Sequence, residues 1–341
     1  MRLLLLCRDY IAALARDAVT LWDRVWFTPA DPINLAAIRI ITGLILLHIH
    51  LGTLPELLDV AGPNAWLDSQ GIAGMHRLPP DGDGSVQGPW HGGGFSVWFH
   101  VQEPRMVWAI HILFLVAATC LTLGLSTRTA SVLVWAGHLS HMNRGVVTTY
   151  GIDTILAMLT LYLMLAPSGA ALSLDQWWKR RRTGSDESAG AGTRGSIAAN
   201  FVLRLLQFHL CLIYIFSGLS KLGGGTWWNG TAVYTALMIP EATLFDMGWM
   251  ARHDWPWMLL SNGGSLATLA VELGFPILVW NRRLRPMVLA CVIAMQAAFG
   301  LLLGLGAFQA AMFAALVAFL PPQALHSLLA SFTKRVKAND E

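Results

Sequence analysis

Long apolar stretches dominate the chain and predict membrane-spanning helices. Eight stretches approach or reach the roughly 20 apolar residues that a helix needs to cross a bilayer. They cover residues 36–54, 106–125, 130–147, 150–167, 200–219, 262–281, 286–304 and 306–321. The pattern therefore predicts an all-α integral membrane protein with about eight transmembrane helices.

The segments between these stretches predict elements at the membrane surface. Residues 1–28 have the pattern of an amphipathic helix on the inner face of the membrane. The apolar run Leu3–Leu6 is too short for the core of a secretory signal, because Arg8 follows it at once. Residues 55–105 and 222–261 are rich in Gly, Pro, Trp and His, which is typical of loops that carry short interfacial helices.

A low-complexity segment divides the predicted membrane domain into two halves. The domain covers residues 29–325, and a linker at 183–196, rich in Gly and Ser, separates 29–182 from 197–325. Residues 326–341 form a basic tail that we expect to be cytoplasmic.

The composition excludes an ordinary soluble protein. The chain of 341 residues is 55% hydrophobic, only 13% charged, and contains 15 tryptophans, a residue that favours membrane–water interfaces. The net charge of +3 is modest, and the basic residues map to one membrane face rather than to a groove, so we expect no nucleic-acid partner. The four cysteines have no CxxC spacing and indicate neither a disulfide framework nor a zinc site.

The distribution of basic residues predicts the orientation. With the N-terminus inside, sixteen of the 23 Lys and Arg residues fall in inner segments and five in outer ones. This bias follows the positive-inside rule and predicts that both termini are cytoplasmic. Both long loops then lie outside. We therefore expect a multi-pass protein of a bacterial cytoplasmic (inner) membrane whose functional face is periplasmic or extracytoplasmic.

Lys221 is the most informative candidate for chemistry. It is one of four lysines and ends an apolar helix just before Gly223-Gly224-Gly225 and the pair Trp227-Trp228. A lone amine at such a boundary loses water, and with it its proton, more easily than a solvated one, as a general base requires. An ordinary interfacial lysine is the competing interpretation.

Other polar residues inside apolar stretches are candidates for structure or function. Glu272 lies deep in the sixth stretch and needs a partner, for which His209 is a candidate. It is either part of a proton relay or a structural polar contact.

Arg144 and Asp153 are close enough in sequence to pair across a turn, or Arg144 binds an anionic group near Lys221. His138 and His141 share a helix face, but two histidines alone are a weak metal signal, and we predict no metal site. We expect His48 and His50 to be interfacial from their positions.

Several short motifs occur in a characteristic order. They are Asp31-Pro32-Ile33-Asn34-Leu35 with Arg39, Gly124-Leu125-Ser126-Thr127-Arg128, Asn143 with Tyr150-Gly151-Ile152-Asp153, Pro167 with Ser173-Leu174-Asp175, the segment from Tyr214 to Trp228, and Glu272 with Asn281-Arg282-Arg283-Leu284-Arg285. In this order, over residues 30–325, the chain resembles the horizontally transferred transmembrane (HTTM) domain. That domain is the membrane part shared with vitamin K-dependent γ-carboxylases and related bacterial proteins.

The resemblance implies quinol-linked chemistry. In the carboxylases a lysine deprotonates reduced vitamin K, oxygen adds, and the resulting strong base removes a proton from a glutamate before CO2 adds. Lys221 matches that lysine, so the resemblance implies a catalytic role for it, with Arg144 and His141 nearby. Two positions depart from the carboxylase pattern: Ser220 replaces a second lysine, and Arg144 stands where a catalytic histidine is expected. The resemblance therefore does not extend to clear competence for glutamate γ-carboxylation.

Three functions fit these observations. The first is an enzyme-like protein with an outward-facing cavity that acts on a quinol or a secreted substrate through a lysine base. Its cofactor would be a reduced, vitamin K-like quinone, held by Trp227, Trp228, Tyr214, Asn143 and Asp153. The second is a non-enzymatic maturation or export partner of a secreted peptide. The third is a proton-coupled small-molecule carrier that uses Glu272.

Overall fold

A computed structural model shows an all-helical chain. It describes residues 2–66, 96–101, 103–145, 148–183, 195–239, 243–246 and 248–339. Most of the predicted linker 183–196 and of the first long loop lie outside these residues. The only strand-like pairing in the described ranges is an isolated bridge between Ala30 and Ser196.

Among the described residues, eleven helices of ten or more residues form the framework. They are α1 (Arg2–Trp26), α2 (Ile33–Gly52), α3 (Pro104–Leu123), α4 (Thr127–Arg144), α5 (Gly151–Leu165), α6 (Leu174–Thr183), α7 (Ile197–Leu222), α8 (Gly264–Leu278), α9 (Arg285–Leu302), α10 (Gly306–Leu316) and α11 (Pro322–Asn339). A helix forms at each of the eight predicted apolar stretches, and the predicted N-terminal helix is present as α1.

The helices pack as one bundle with a shared apolar core. In the first half, α2 packs on α3 and α5, and α4 also packs on both α3 and α5. In the second half, α7 packs on α8, and α8 and α10 pack on α9. Helix α10 also contacts α2, α5 and α7, so it joins the two halves.

The bundle has two ends, which we name by the residues that meet there. At the first end, Asn34 at the start of α2 donates to the Val317 carbonyl (2.8 Å), and Ala30 pairs with Ser196 before α7. At the second end, His50 near the end of α2 contacts His141 near the end of α4, and Leu244 donates to Leu302 at the end of α9. Lys221 ends α7 at this second end.

Short helical segments of the two loop regions lie at the second end, and their predicted place at the membrane interface stays a prediction. They are Leu54–Glu56, Leu57–Ala61, Val97–His100, Gly225–Trp228, Ala232–Leu237, Gly248–Arg252 and Asp254–Pro256. A π-helical turn at Trp257–Gly263 leads directly into α8. Such turns interrupt the regular hydrogen bonding of a helix and are frequent near functional sites.

The predicted count of eight spans is not confirmed. Within the described residues, four helices are long and apolar enough to cross a membrane: α2, α3, α7 and α9. A fifth candidate is the pair Gly306–Phe319 and Pro322–Ser331, which is bent by 113°. The remaining predicted spans fall short because α5 and α8 have 15 residues each, while α4 carries polar side chains along its length.

Candidate functional site

Lys221 is bound to Glu272 at the second end of the bundle. The Lys221 ammonium Nζ donates to Glu272 Oε1 (2.9 Å), and Oε2 lies equally near at 2.9 Å as an ion-pair contact. The Glu272 side chain is 6% exposed, whereas that of Lys221 is 22% exposed. The Lys221 side chain is therefore partly accessible, while its carboxylate partner lies inside the bundle.

Neighbouring groups fix the position of the amine. Lys221 Nζ also donates to Ser217 Oγ (2.6 Å), one turn earlier on α7, and Ser217 Oγ donates to Glu272 Oε1 (3.3 Å). The Trp227 ring lies 5.4 Å from Nζ, within the range of a cation–π contact. The Lys221 amine is thus held by the Ser217 hydroxyl, the Glu272 carboxylate and the Trp227 indole.

A close approach of two helices brings the pair together. Gly218 lies on the α7 face that contacts α8, and a Cβ added there would meet Leu273 Cδ2 at 2.7 Å. Only a residue without a side chain allows this separation. Lys221 and Glu272, which are 51 positions apart in sequence, can therefore reach each other.

These contacts correct two predictions. Lys221 is not a lone amine, because the packing of α8 on α7 supplies a carboxylate that local sequence does not show. Glu272 is not paired with His209: the Nδ1 of His209 lies 3.0 Å from the Tyr162 hydroxyl, and Glu272 bonds to Lys221 and Ser217.

The aromatic residues chosen from the sequence fall in different environments. Trp228 is 67% exposed, and its indole Nε1 donates to the Leu222 carbonyl (2.7 Å) at the end of α7. Tyr214 is buried in the core, accepts a hydrogen bond from Gln296 Nε2 (2.7 Å) and packs against Phe275. Trp227 is the aromatic residue that contacts the amine.

The residues chosen around the α4–α5 turn form a second group at the same end. Arg144 is buried where α4 ends. Asp153 closes a capping box on α5 by accepting from the Tyr150 backbone N–H (3.0 Å), and its carbonyl lies 3.0 Å from His138 Nε2. Asn143 lies on the same last turn of α4 as Arg144. The proposed pairing of Arg144 with Asp153 and the roles of these residues in binding a substrate stay predictions.

The sequence interpretation missed a cluster of histidines. His50 is 2% exposed and lies among His111, His138 and His141, so its ring faces the bundle interior. Three different helices contribute these rings. Only the pair on α4 has a spacing that the sequence could reveal.

At the first end, several family-like motifs meet around Arg39. Its guanidinium is fully buried and donates to the carbonyls of Ser168 (3.2 Å) and Leu172 (2.6 Å). Gly124 adopts a left-handed conformation (φ +72°), and a Cβ there would collide with the Arg39 side chain. The motifs that contain Arg39, Gly124 and Ser168 therefore meet at one point. There α2 contacts the turn before α4 and the turn after α5.

Asp175 caps α4 from outside that helix. Its carboxylate accepts from the backbone N–H groups of Ser126 (2.9 Å) and Thr127 (3.1 Å), and from the Thr127 hydroxyl (3.1 Å). Burial raises the pKa of this carboxyl, but these hydrogen bonds and the charge of Arg39 outweigh burial and leave the pKa below its ordinary value of 3.8.

A cleft of about 330 Å³ lies beside this cap, lined by Ser126, Thr127, Arg128, Pro167, Ser168 and Asp175. It is at the opposite end from Lys221. The outward-facing cavity predicted around the Lys221 base would lie at the second end, and it stays a prediction.

The fold and its long apolar helices define a multi-pass α-helical membrane protein. The family model of the HTTM domain matches residues 94–323, about two thirds of the chain, and the chain therefore belongs to the HTTM family. No curated protein and no solved structure matches it.

Proposed function

We propose that this HTTM protein acts on a quinol at the Lys221–Glu272 pair. The observation that carries the proposal is the partly exposed side chain of Lys221, whose amine is held by Ser217 Oγ and Glu272 with the Trp227 ring beside it. By the sequence resemblance, Lys221 corresponds to the lysine that the carboxylases use to deprotonate reduced vitamin K, and the proposal places a quinone tail against the surrounding apolar helices.

The pair acts as a two-residue base. In the resting state Lys221 is an ammonium and Glu272 a carboxylate, so the amine alone has no free lone pair. Movement of one ammonium proton to Glu272 frees the amine, which then accepts the proton of a quinol hydroxyl. The products are a quinolate, the Lys221 ammonium and a protonated Glu272, so both the proton count and the net charge are unchanged. A neutral pair costs less to keep inside a bundle than two separated charges, which makes the transfer feasible.

The first experiment measures quinol turnover in Lys221 and Glu272 variants. Purified protein is supplied with reduced vitamin K and oxygen, and epoxide formation is followed. Lys221→Ala and Glu272→Gln should each lower the rate by about 10²–10⁴-fold, the usual contribution of a general base. Lys334→Ala, which removes an exposed lysine of α11, is the matched control and should behave like wild type. Unchanged quinol binding and turnover in both Lys221→Ala and Lys221→Arg would remove Lys221 from the function.

Lipid extraction of the purified protein is an independent test. A quinone that copurifies with wild type, and is lost in Lys221→Ala, supports the redox proposal. A protein that carries no quinone and forms no epoxide would favour one of the two alternatives.

One observation favours the maturation or export partner as a second candidate. The second end exposes large apolar side chains on its short covering segments, among them Leu244, Phe245 and Trp255. Such a surface suits an extended apolar peptide. Crosslinking from Phe245 to a secreted peptide encoded beside the gene would support this role, and unaltered peptide maturation on deletion of the protein would oppose it.

A further inference from the structure

Three arginines meet at the first end of the bundle, between α7 and the turn that joins α8 to α9. Arg204 lies in α7, roughly 10 Å along the helix axis from its first residue. Arg285 begins α9, and Arg282 precedes it in the turn. The charge of Arg285 acts on Arg204, and the charge of Arg282 acts on Arg285, so the three guanidinium groups are electrostatic neighbours. We call them the arginine cluster.

The arginine cluster lacks a negative partner in the described part of the chain. There, none of its three members forms an ion pair with a carboxylate. Arg204 belongs to a helix that is long and apolar enough to cross a membrane, and a cation in such a helix normally pairs with another polar or charged group. Like charges repel one another, so an anion bound between these arginines would stabilise their arrangement.

The arginines are held in place but keep hydrogen-bond donors for a ligand. Arg204 Nη1 donates to Gln207 Oε1 (3.0 Å), and Gln207 Nε2 donates in turn to the Ala318 carbonyl (2.7 Å). Arg285 Nε donates to the Val279 carbonyl (2.9 Å). Among the described residues, Nη2 of Arg204 and both Nη groups of Arg285 have no further partner. Arginine binds phosphate through such paired donors.

A row of aromatic rings begins beside the arginine cluster. The Arg204 guanidinium lies 6.0 Å from the centroid of the Trp280 ring. Trp280 packs on Phe208 at a centroid distance of 5.0 Å, and Phe208 stacks on Trp26, the last residue of α1, at 5.6 Å. Phe208 is one turn after Arg204 on α7 and is 41% exposed. Aromatic side chains are enriched at the headgroup level of membranes, so this exposed ring is suited to contact with a lipid chain.

We propose that Arg204, Arg282 and Arg285 bind the phosphate group of one anionic phospholipid, whose acyl chain lies along Phe208. The guanidinium groups supply positive charge and paired donors, and the aromatic row supplies an apolar surface next to them. These two features match the two parts of a phospholipid, and basic pockets between transmembrane helices recognise anionic headgroups in this way. A soluble phosphate would use the same arginines but would gain nothing from Phe208, and for this reason we assign the ligand to the membrane.

Native mass spectrometry of the purified full-length protein tests the proposal. The protein in detergent is mixed with equal amounts of phosphatidylglycerol, which is anionic, and phosphatidylcholine, which has no net charge, and the retained lipids are counted. Wild type should retain one phosphatidylglycerol in preference to phosphatidylcholine. Arg204→Gln and Arg282→Gln should each lower this retention about tenfold, because each removes a charged donor of the phosphate. Arg282 is an exposed residue of the turn, so its substitution leaves the packing of the bundle intact.

Arg128→Gln provides the matched control. Arg128 is an exposed arginine of α4 at the same end of the bundle, so this variant removes an equal charge outside the arginine cluster and should retain phosphatidylglycerol like wild type. Lys221→Ala should do so as well, which separates the lipid site from the proposed quinol chemistry.

Three results would overturn the proposal. The first is equal retention of the two lipids by wild type. The second is an equal effect of Arg128→Gln and Arg282→Gln, which would mean a general attraction of anionic lipids to the basic end of the protein. The third is release of the retained lipid by millimolar inorganic phosphate, which would assign the arginines to a soluble phosphate instead of a membrane lipid.

Discussion

At the scale of single residues, two buried charges among the described residues have polar partners. Glu272 is neutralised by Lys221, and the buried Arg39 is held by two carbonyls of the turn after α5. A charge in a bilayer-spanning bundle is costly unless it has such a partner. Removing one partner of such a pair should therefore lower the free energy of unfolding more than removing both partners.

The Lys221–Glu272 pair allows this to be measured. Glu272→Leu should lower the free energy of unfolding by about 3 kcal/mol, because it leaves an ammonium without its carboxylate. Lys221→Met combined with Glu272→Leu should recover part of that loss. The measurement is reversible unfolding in mixed micelles as a double-mutant cycle. Additive losses in the cycle would show that the two side chains do not interact.

The sequence identified both members of this pair but not the pairing. Glu272 and Lys221 stand out because each is an ionisable residue in an apolar stretch. Their partnership depends on the contact between α7 and α8 at Gly218, and periodicity indicates only which face of a helix is apolar, not which helix packs on it. The ring neighbours of His50 could not be read from the sequence for the same reason, because they come from α3 and α4.

At the scale of elements, loop residues determine where helices begin and how closely they approach. Helix α4 begins after Ser126, a non-glycine residue with φ +42°, and its first N–H groups are capped by Asp175 from the start of α6. Helix α7 approaches α8 through Gly218. Both arrangements can be disturbed by a single substitution.

Asp175→Asn should weaken the start of α4. The loss of a charged cap should cost about 1 kcal/mol at neutral pH. Because the pKa of Asp175 is lower in the folded protein than its ordinary 3.8, the carboxylate stabilises the fold above that pH, and this contribution is lost as the pH falls below it. Thermal unfolding from pH 6 to pH 3 should show the difference between wild type and Asp175→Asn shrinking at the acid end. A difference that is constant or grows on acidification would contradict this assignment.

Gly218→Ala should separate α7 from α8. The added methyl group would meet Leu273 Cδ2 at 2.7 Å, and overpacking of this kind costs about 1–3 kcal/mol. We expect a lower melting temperature together with weaker quinol turnover, because Lys221 moves away from Glu272. Gly52→Ala is the control, since a Cβ at Gly52 meets nothing within 4 Å. Equal effects of the two substitutions would argue against a close contact at Gly218.

At the scale of the whole molecule, the helical membrane fold follows from the sequence, but the number of spans does not. The apolar stretches predicted the positions of the helices because burial and membrane insertion require the same residues. The count of eight spans is not confirmed where polar side chains or bends interrupt the apolar helices. Helix α4 carries His138, Ser140 and Arg144 toward protein neighbours rather than lipid, and α10 ends in a sharp bend.

Cysteine labelling can test the predicted orientation. In a variant without the four native cysteines, Thr226→Cys lies on the second end and Gln323→Cys beside the first. An impermeant maleimide added to intact cells should label position 226 and leave position 323 unlabelled until the cells are opened, as the positive-inside bias predicts. The reverse pattern would place the Lys221 site in the cytoplasm.

Helix α10 belongs to the second half of the chain but packs on α2 and α5 of the first half, and Asn34 reaches across to Val317. This makes the protein suitable for expression as two separate pieces, cut within residues 184–194. An affinity tag on residues 1–188 should retain residues 189–341 when both are produced in the same cell. Continuity of the backbone would then matter for the order of membrane insertion rather than for keeping the finished molecule in one piece.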